Sequence, residues 1–303
     1  MPTLKRSPAG REEMTNPWVA GARPRTLPAA IVPVAVGTGV AFHEQSAVAW
    51  KAALALVVSL ALQVGVNFAN DYSDGVRGTD DARVGPARLV GGGVKPAAAV
   101  KRAALLAFAM AAAAGLVLTF TTSLWLLPVG AAAVLAAWFY TGGPRPYGYA
   151  GLGELFVFVF FGLVATAGSA FVQTERLTAL AVVASVPVGL LACALLVVNN
   201  LRDIPGDTVA GKRTLAVRLG DPATRVLYAV LVVGACALAL AVAAVAGRPL
   251  PAVAVAAVVA AVPGLRAVRA GAKGPGLIPV LGATGKVQLA FGTLLTLGLT
   301  LWR

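Results

Sequence analysis

The sequence predicts an all-α, polytopic membrane protein of about nine transmembrane helices. Three observations carry that expectation. Of 303 residues, 58% are apolar and only 12% are charged, where a soluble domain has about 25% charged. The apolar residues gather into nine runs, most of them near the roughly 20 residues that cross a bilayer. The Lys and Arg between those runs fall almost entirely on alternate connections, as loops held on the cytoplasmic side do. A mean hydropathy of +0.83 agrees. Together these exclude a water-soluble enzyme, a disordered chain and a nucleic-acid-binding domain. The net charge of +13 reads as topology, with the lipid bilayer as the partner and no nucleic acid.

Residues 1–22 lack the apolar core and small-residue cleavage site of a signal peptide and read as a polar cytoplasmic tail. Residues 23–303 read as a single transmembrane domain. Its expected spans are 27–42, 50–69, 98–120, 124–141, 152–172, 177–198, 223–246, 250–268 and 277–302. The first is short and carries Pro28 and Pro33, so its ends are the least defined. With the N-terminus inside, twenty Lys and Arg lie on the cytoplasmic side and four on the other, with Lys286 inside the ninth span. This bias predicts a cell-membrane protein whose N-terminus and two long loops, residues 70–96 and 199–222, are cytoplasmic. Long ordered loops tend to carry function.

The carboxylates single out the same two loops. Seven of twelve acidic residues lie there: Asp71, Asp74, Asp80 and Asp81 in the first, and Asp203, Asp207 and Asp221 in the second. At 100° per residue, Gln63, Asn67, Asn70, Asp71 and Asp74 share one helix face about 100° wide. Asn199, Asp203 and Asp207 fall within about 80° if the helix persists, although Pro205 and Gly206 predict fraying before Asp207. Isolated Asn and Asp at helix ends are ordinarily caps. Two aligned stripes at the mouths of two spans are harder to reduce to capping, because polar groups within spans are costly. Oxygen-only donors suit Mg²⁺, which commonly bridges one or two carboxylates to substrate phosphates. Arg77, Arg83 and Arg88 flank the first stripe, and Lys212, Arg213 and Arg218 the second. Carboxylates interleaved with cations suit a metal-bound diphosphate, and a membrane-embedded diphosphate with an apolar tail is a polyprenyl diphosphate.

Four stretches then carry a resemblance: RPRTLPAAIVPVAVG from Arg23, NFANDYSDGVRGTDDARVGPARLVGGG from Asn67, YTGGPRPYGYAGLGELFVFVFFG from Tyr140 and NNLRDIPGDTVAGKRTLAVRLG from Asn199. They resemble the UbiA-type intramembrane aromatic prenyltransferases, most closely the branch that prenylates 1,4-dihydroxy-2-naphthoate in menaquinone biosynthesis. The resemblance implies nine helices around a central cavity that opens to the cytoplasmic side, with Asp-rich motifs after the second and sixth. It implies transfer of a polyprenyl group from its diphosphate to the naphthoate, with loss of CO₂ and pyrophosphate. By the same implication, Asp71, Asp74, Asp203 and Asp207, with Asn67 and Asn199, hold Mg²⁺. Asn67, Asn70 and Asn199 also meet the diphosphate, and Lys212 with some of Arg77, Arg83, Arg88 and Arg218 neutralises the departing pyrophosphate. A sister enzyme for 4-hydroxybenzoate and a secondary transporter with intramembrane acids are the rival readings.

Other residues keep two readings. Arg23 and Arg25 suit the acceptor carboxylate or simply mark topology. Tyr140, with the Gly142–Gly143–Pro144 turn, borders the cavity or the membrane interface. Glu154 pairs with an Arg, lines the site or reaches the interface. Lys286 is an intramembrane functional candidate or a snorkelling side chain. Cys193 and Cys236 lie in apolar runs as inert thiols. One histidine, His43, cannot build a haem or zinc site from imidazoles. Gly91–Gly92–Gly93 lacks the Lys-Ser/Thr of a phosphate loop and reads as a connection.

Overall fold

The computed structural model describes residues 16–79 and 88–301, and every secondary-structure element among them is helical. Asp80, Asp81 and Arg83 lie outside the described residues. A short helix, α1 (Pro17–Ala22), leads through a 3₁₀ turn (Pro24–Thr26) into α2 (Pro28–His43), and the two halves meet at 50°. Arg23, between α1 and the 3₁₀ turn, has φ 54°, a left-handed conformation uncommon outside glycine. Residues 17–22, read from sequence as the end of a polar tail, are helical, and with the 3₁₀ turn they form one arm of a bent pair that is long and apolar enough to cross a membrane only when its two arms are taken together. Trp18 packs edge-on against Phe68 at 5.8 Å.

Then follow α3 (Ala49–Arg77), α4 (Ala97–Thr122), α5 (Leu126–Phe139), α6 (Gly153–Thr174), α7 (Ala179–Val209), α8 (Leu215–Ala246), α9 (Leu250–Arg269) and α10 (Gly274–Thr300). All nine expected runs are helical. By length and composition, however, seven of the described helices suffice to cross a membrane, or eight with the broken N-terminal pair. The remaining run, α5, has 14 residues. At 1.5 Å per residue it reaches about 21 Å, short of the roughly 30 Å hydrocarbon core. Large apolar side chains such as Leu106, Phe120 and Val259 stand exposed on the outer surface. That is the inverse of a soluble fold and the arrangement of a multi-pass membrane protein.

Two departures from the expected elements matter for the site. The helix α3 runs on to Arg77, so Gln63 through Asp74 lie on one unbroken helix. The helix α7 does not fray at Pro205 but continues to Val209, where the Ala210 N–H caps the Gly206 carbonyl. Proline's φ is itself helical, so the cost is one lost backbone hydrogen bond and crowding against the carbonyl one turn back, which a helix held by its neighbours tolerates. The most buried of the long helices is α7. It packs on α8 and on a π-helical stretch of α6, Phe158–Ala167. Gly162 of that stretch and Gly189 of α7 meet backbone to backbone: a β-carbon on Gly162 would lie 2.6 Å from the Gly189 Cα. On the other side, α3 lies along α4.

Candidate functional site

The two helix faces read from sequence line one cavity of about 1920 Å³. From α3 come Gln63, Asn67, Asn70, Asp71 and Asp74, all buried. From α7 come Asn199, Asn200, Asp203 and Asp207. Arg23, Arg25, Arg88, Lys212 and Lys273 surround the polar end, and Tyr140, Thr141, Tyr147 and Tyr149 come from the α5–α6 connection. The other end is apolar, walled by residues such as Leu62 and Val66 of α3, Leu118 of α4, Val134 of α5 and Phe160, Phe161 and Val164 of α6.

Each of these five side chains of α3 makes a specific contact. Thr26 accepts hydrogen bonds from Gln63 Nε2 and Asn67 Nδ2, both at 3.1 Å, and Asn67 Nδ2 also reaches the Ala22 carbonyl at 2.9 Å. These bonds pin the first arm of the N-terminal bent pair to α3. Asn70 Oδ1 accepts from Thr141 Oγ1 at 2.8 Å. Asp71, 1% exposed, accepts the backbone N–H of Leu89 through one oxygen and of Val90 through the other, both at 2.9 Å. It anchors the chain where it returns towards α4.

Asp74 Oδ1 accepts from Tyr149 Oη at 2.5 Å and lies 3.4 Å from Lys212 Nζ. Lys212 also stands 4.7 Å from the Tyr149 ring centroid, a cation–π distance. Burial and the adjacent Asp74 charge push the Tyr149 phenol well above its ordinary pKa, so it stays protonated and donates. The backbone agrees: the Arg213 N–H donates to the Tyr149 carbonyl at 2.9 Å. One tyrosine therefore joins the first Asp stripe to the loop after α7. On α7, Arg202 grips Asp203 through two hydrogen bonds of 2.7 and 2.6 Å and reaches Asn199 Oδ1 at 2.9 Å.

Not every residue singled out in the sequence meets the cavity. Arg77 and Arg218 are exposed and absent from its lining. Arg77 donates to the Thr141 and Gly143 carbonyls, and Arg218 to the Arg213 carbonyl at 3.1 Å. Both fasten loops. Lys286 is exposed on α10 and also absent from the lining, which suits a snorkelling stem. Glu154 is buried behind the wall, bonded to Asn200. Sequence reasoning did not single out Tyr149, Asn200, Arg202 or Lys273 as site residues. Arg202 adjoins Asp203, and neighbours in a helix do not ordinarily face each other. Tyr149 is 75 residues from Asp74, with no local pattern to join them.

The donor set fits Mg²⁺. The carboxylates and amide carbonyls on the cavity wall are hard oxygen donors, with no thiolate or imidazole among the lining residues. Among the described residues no three His, Cys, Asp or Glu side chains group closely enough to enclose a metal ion. Mg²⁺ asks for less: it keeps several waters and takes one or two carboxylates, with substrate phosphates completing the shell.

A family model described as the UbiA prenyltransferase family matches residues 30–274. The chain is 52% identical over 274 residues to the 1,4-dihydroxy-2-naphthoate octaprenyltransferase of Mycobacterium tuberculosis, covering 90% of this chain and 93% of that protein. It is 39% identical over 227 residues to the enzyme of the same name from Escherichia coli, covering 73% and 74%. Among solved structures, a UbiA homolog from Aeropyrum pernix superposes with a TM-score of 0.68 at 16% identity, covering 88% of this chain and 96% of that one. A UbiA homolog from Archaeoglobus fulgidus, bound to DMAPP and Mg²⁺, superposes with a TM-score of 0.64 at 16% identity, covering 94% and 99%. At such identities the structural likeness speaks for the fold.

Proposed function

The chain belongs to the UbiA prenyltransferase family, and from that premise we propose that it transfers a polyprenyl group from polyprenyl diphosphate to 1,4-dihydroxy-2-naphthoate, yielding demethylmenaquinol, CO₂ and pyrophosphate. The observation that carries this reading is the meeting of two Asp-bearing helix faces, from α3 and α7, at the polar end of one largely apolar cavity. Two relatives of 52% and 39% identity that bear the naphthoate enzyme's name support the choice of acceptor.

Asp71, Asp74, Asp203 and Asp207, with Asn67 and Asn199, would hold Mg²⁺, and a relative of this fold solved with Mg²⁺ supports that role. Bound there, Mg²⁺ supplies positive charge to the diphosphate oxygens. Lys212 and Arg88 line the same end and stabilise the pyrophosphate as the allylic C–O bond ionises. Asn70 and Tyr140 border the diphosphate and the acceptor. The apolar end receives the prenyl chain and keeps water from the allylic cation. Arg23 or Arg25 holds the acceptor carboxylate. The ring carbon bearing that carboxylate attacks the cation. With a new C–C bond at that carbon, the ring regains aromaticity only by releasing CO₂.

Acceptor labelled with ¹⁴C in its carboxyl group tests this with purified enzyme. Label is expected to leave as gas in step with product. Label retained in the product, or a preference for 4-hydroxybenzoate, overturns the naphthoate assignment while leaving prenyl transfer standing.

In the cell membrane, the N-terminus and both Asp-bearing loops face the cytoplasm. The twenty-to-four division of Lys and Arg, which counts the short α5 as a crossing, supports this. Cysteines introduced at two exposed positions, Gly92→Cys beside the Asp71 anchor and Gln45→Cys between α2 and α3, report the orientation. A membrane-impermeant maleimide is expected to label position 45 from outside intact cells and position 92 only in inside-out vesicles. The reverse pattern overturns the topology.

A further inference from the structure

The cavity wall has a corner that the chemistry above leaves unused. Asn200 is 7% exposed and faces the cavity. Its Nδ2 is turned away onto Glu154 Oε1 at 3.0 Å. Glu154 is 9% exposed, and its other oxygen is buried with no hydrogen-bond partner. Turning the Asn200 amide round would set carbonyl oxygen against carboxyl oxygen, so Glu154 dictates its orientation. The cavity is left facing Oδ1, a hydrogen-bond acceptor that bonds to none of the described residues.

The surroundings suit a flat aromatic ring. The Tyr140 hydroxyl lies 3.5 Å from where a β-carbon on Gly153, next to Glu154, would stand. Tyr140 meets Tyr147 edge-on at 5.5 Å, and Tyr147 stacks on Phe156 at 4.0 Å. All three aromatics line the cavity. An acceptor oxygen backed by a carboxyl group repels a carboxylate and welcomes a hydroxyl.

Resting on the naphthoate reading, we propose that Asn200 Oδ1 accepts a hydrogen bond from the ring hydroxyl remote from the substrate's carboxylate. Glu154 is the positioning residue that keeps Asn200 that way round. The contact orients the ring, with its carboxylate left to the cations.

The test sets the dihydroxy acceptor, through its Michaelis constant, against the analogue 1-hydroxy-2-naphthoate, which lacks that hydroxyl, through its inhibition constant. Wild type is expected to favour the dihydroxy compound about tenfold, the scale of one hydrogen bond. Asn200→Ala should close that gap by raising the Michaelis constant while leaving the inhibition constant in place. Glu154→Gln is nearly isosteric and keeps the fold if the first variant loses it. Its amide both donates and accepts, so Asn200 populates both orientations and the preference should fall to about fivefold. The Michaelis constant for polyprenyl diphosphate should stay within about twofold throughout. An unchanged preference in a folded variant, equal weakening of both naphthoates, or a shifted diphosphate constant overturns the inference. A wild type that turns over neither naphthoate, yet prenylates another aromatic, overturns the acceptor reading and this inference with it.

Discussion

Asp74→Asn and Asp203→Asn are each expected to lower kcat by about 10²- to 10³-fold, the scale of losing one well-placed electrostatic contact in an active site. The two carboxylates belong to different helices but border the same space. Asn preserves size and removes the charge that would hold the metal and, through Lys212 at 3.4 Å from Asp74, the cation beside it. Because both serve one diphosphate, the double variant should be scarcely slower than either single one, since groups acting as a unit are not additive. Single-turnover kinetics in detergent or nanodiscs reads this directly. Multiplicative losses would mean two independent sites, and a single variant with near-normal turnover would reduce its motif to a helix cap. Asp71→Asn is a less clean probe. Both Asp71 oxygens accept backbone N–H groups of Leu89 and Val90, and an amide would turn an NH₂ towards one of them.

Chelation of divalent cations is expected to abolish prenyl transfer, and added Mg²⁺ or Mn²⁺ to restore it. The cavity offers oxygen donors suited to these ions and to phosphates. The Asp side chains already have protein partners that hold the surrounding loops. Chelation should therefore stop the chemistry while leaving the thermal unfolding midpoint nearly unchanged. Full transfer in metal-free buffer would refute the metal role, whereas a collapsed midpoint would make the ion structural.

The stripes from Gln63 to Asp74 and from Asn199 to Asp207 were legible in the sequence because helical periodicity places residues three and four apart on one face. Nothing periodic announces the partners. Tyr149, Lys212 and Asp74 are gathered from three segments by tertiary packing. The Arg202–Asp203 pair depends on side-chain paths that sequence spacing does not encode. Arg77 and Arg218 show the opposite case: a cation near an acidic motif also suits a loop carbonyl, and charge alone does not distinguish the two. The spans were readable from apolar length. The break between α1 and α2 was not, since Arg23, Pro24 and Arg25 interrupt the apolar run between residues 17–22 and the expected first span. The shortness of α5 was equally hidden, because apolar residues continue beyond its helical ends.

The glycine contact between α6 and α7 limits how far the prenyl pocket can be redesigned. With the Gly162 and Gly189 backbones touching, even one methyl group acts as a wedge. The segment bearing it also carries Phe160, Phe161 and Val164 of the apolar wall, and the facing helix carries Asn199 and Asp203 further along its length. A wedge here would tilt the wall against the diphosphate end, so a change aimed at lipid fit would be felt as misaligned chemistry. The crossing is a fixed pivot, and the space for altering chain-length tolerance lies away from it.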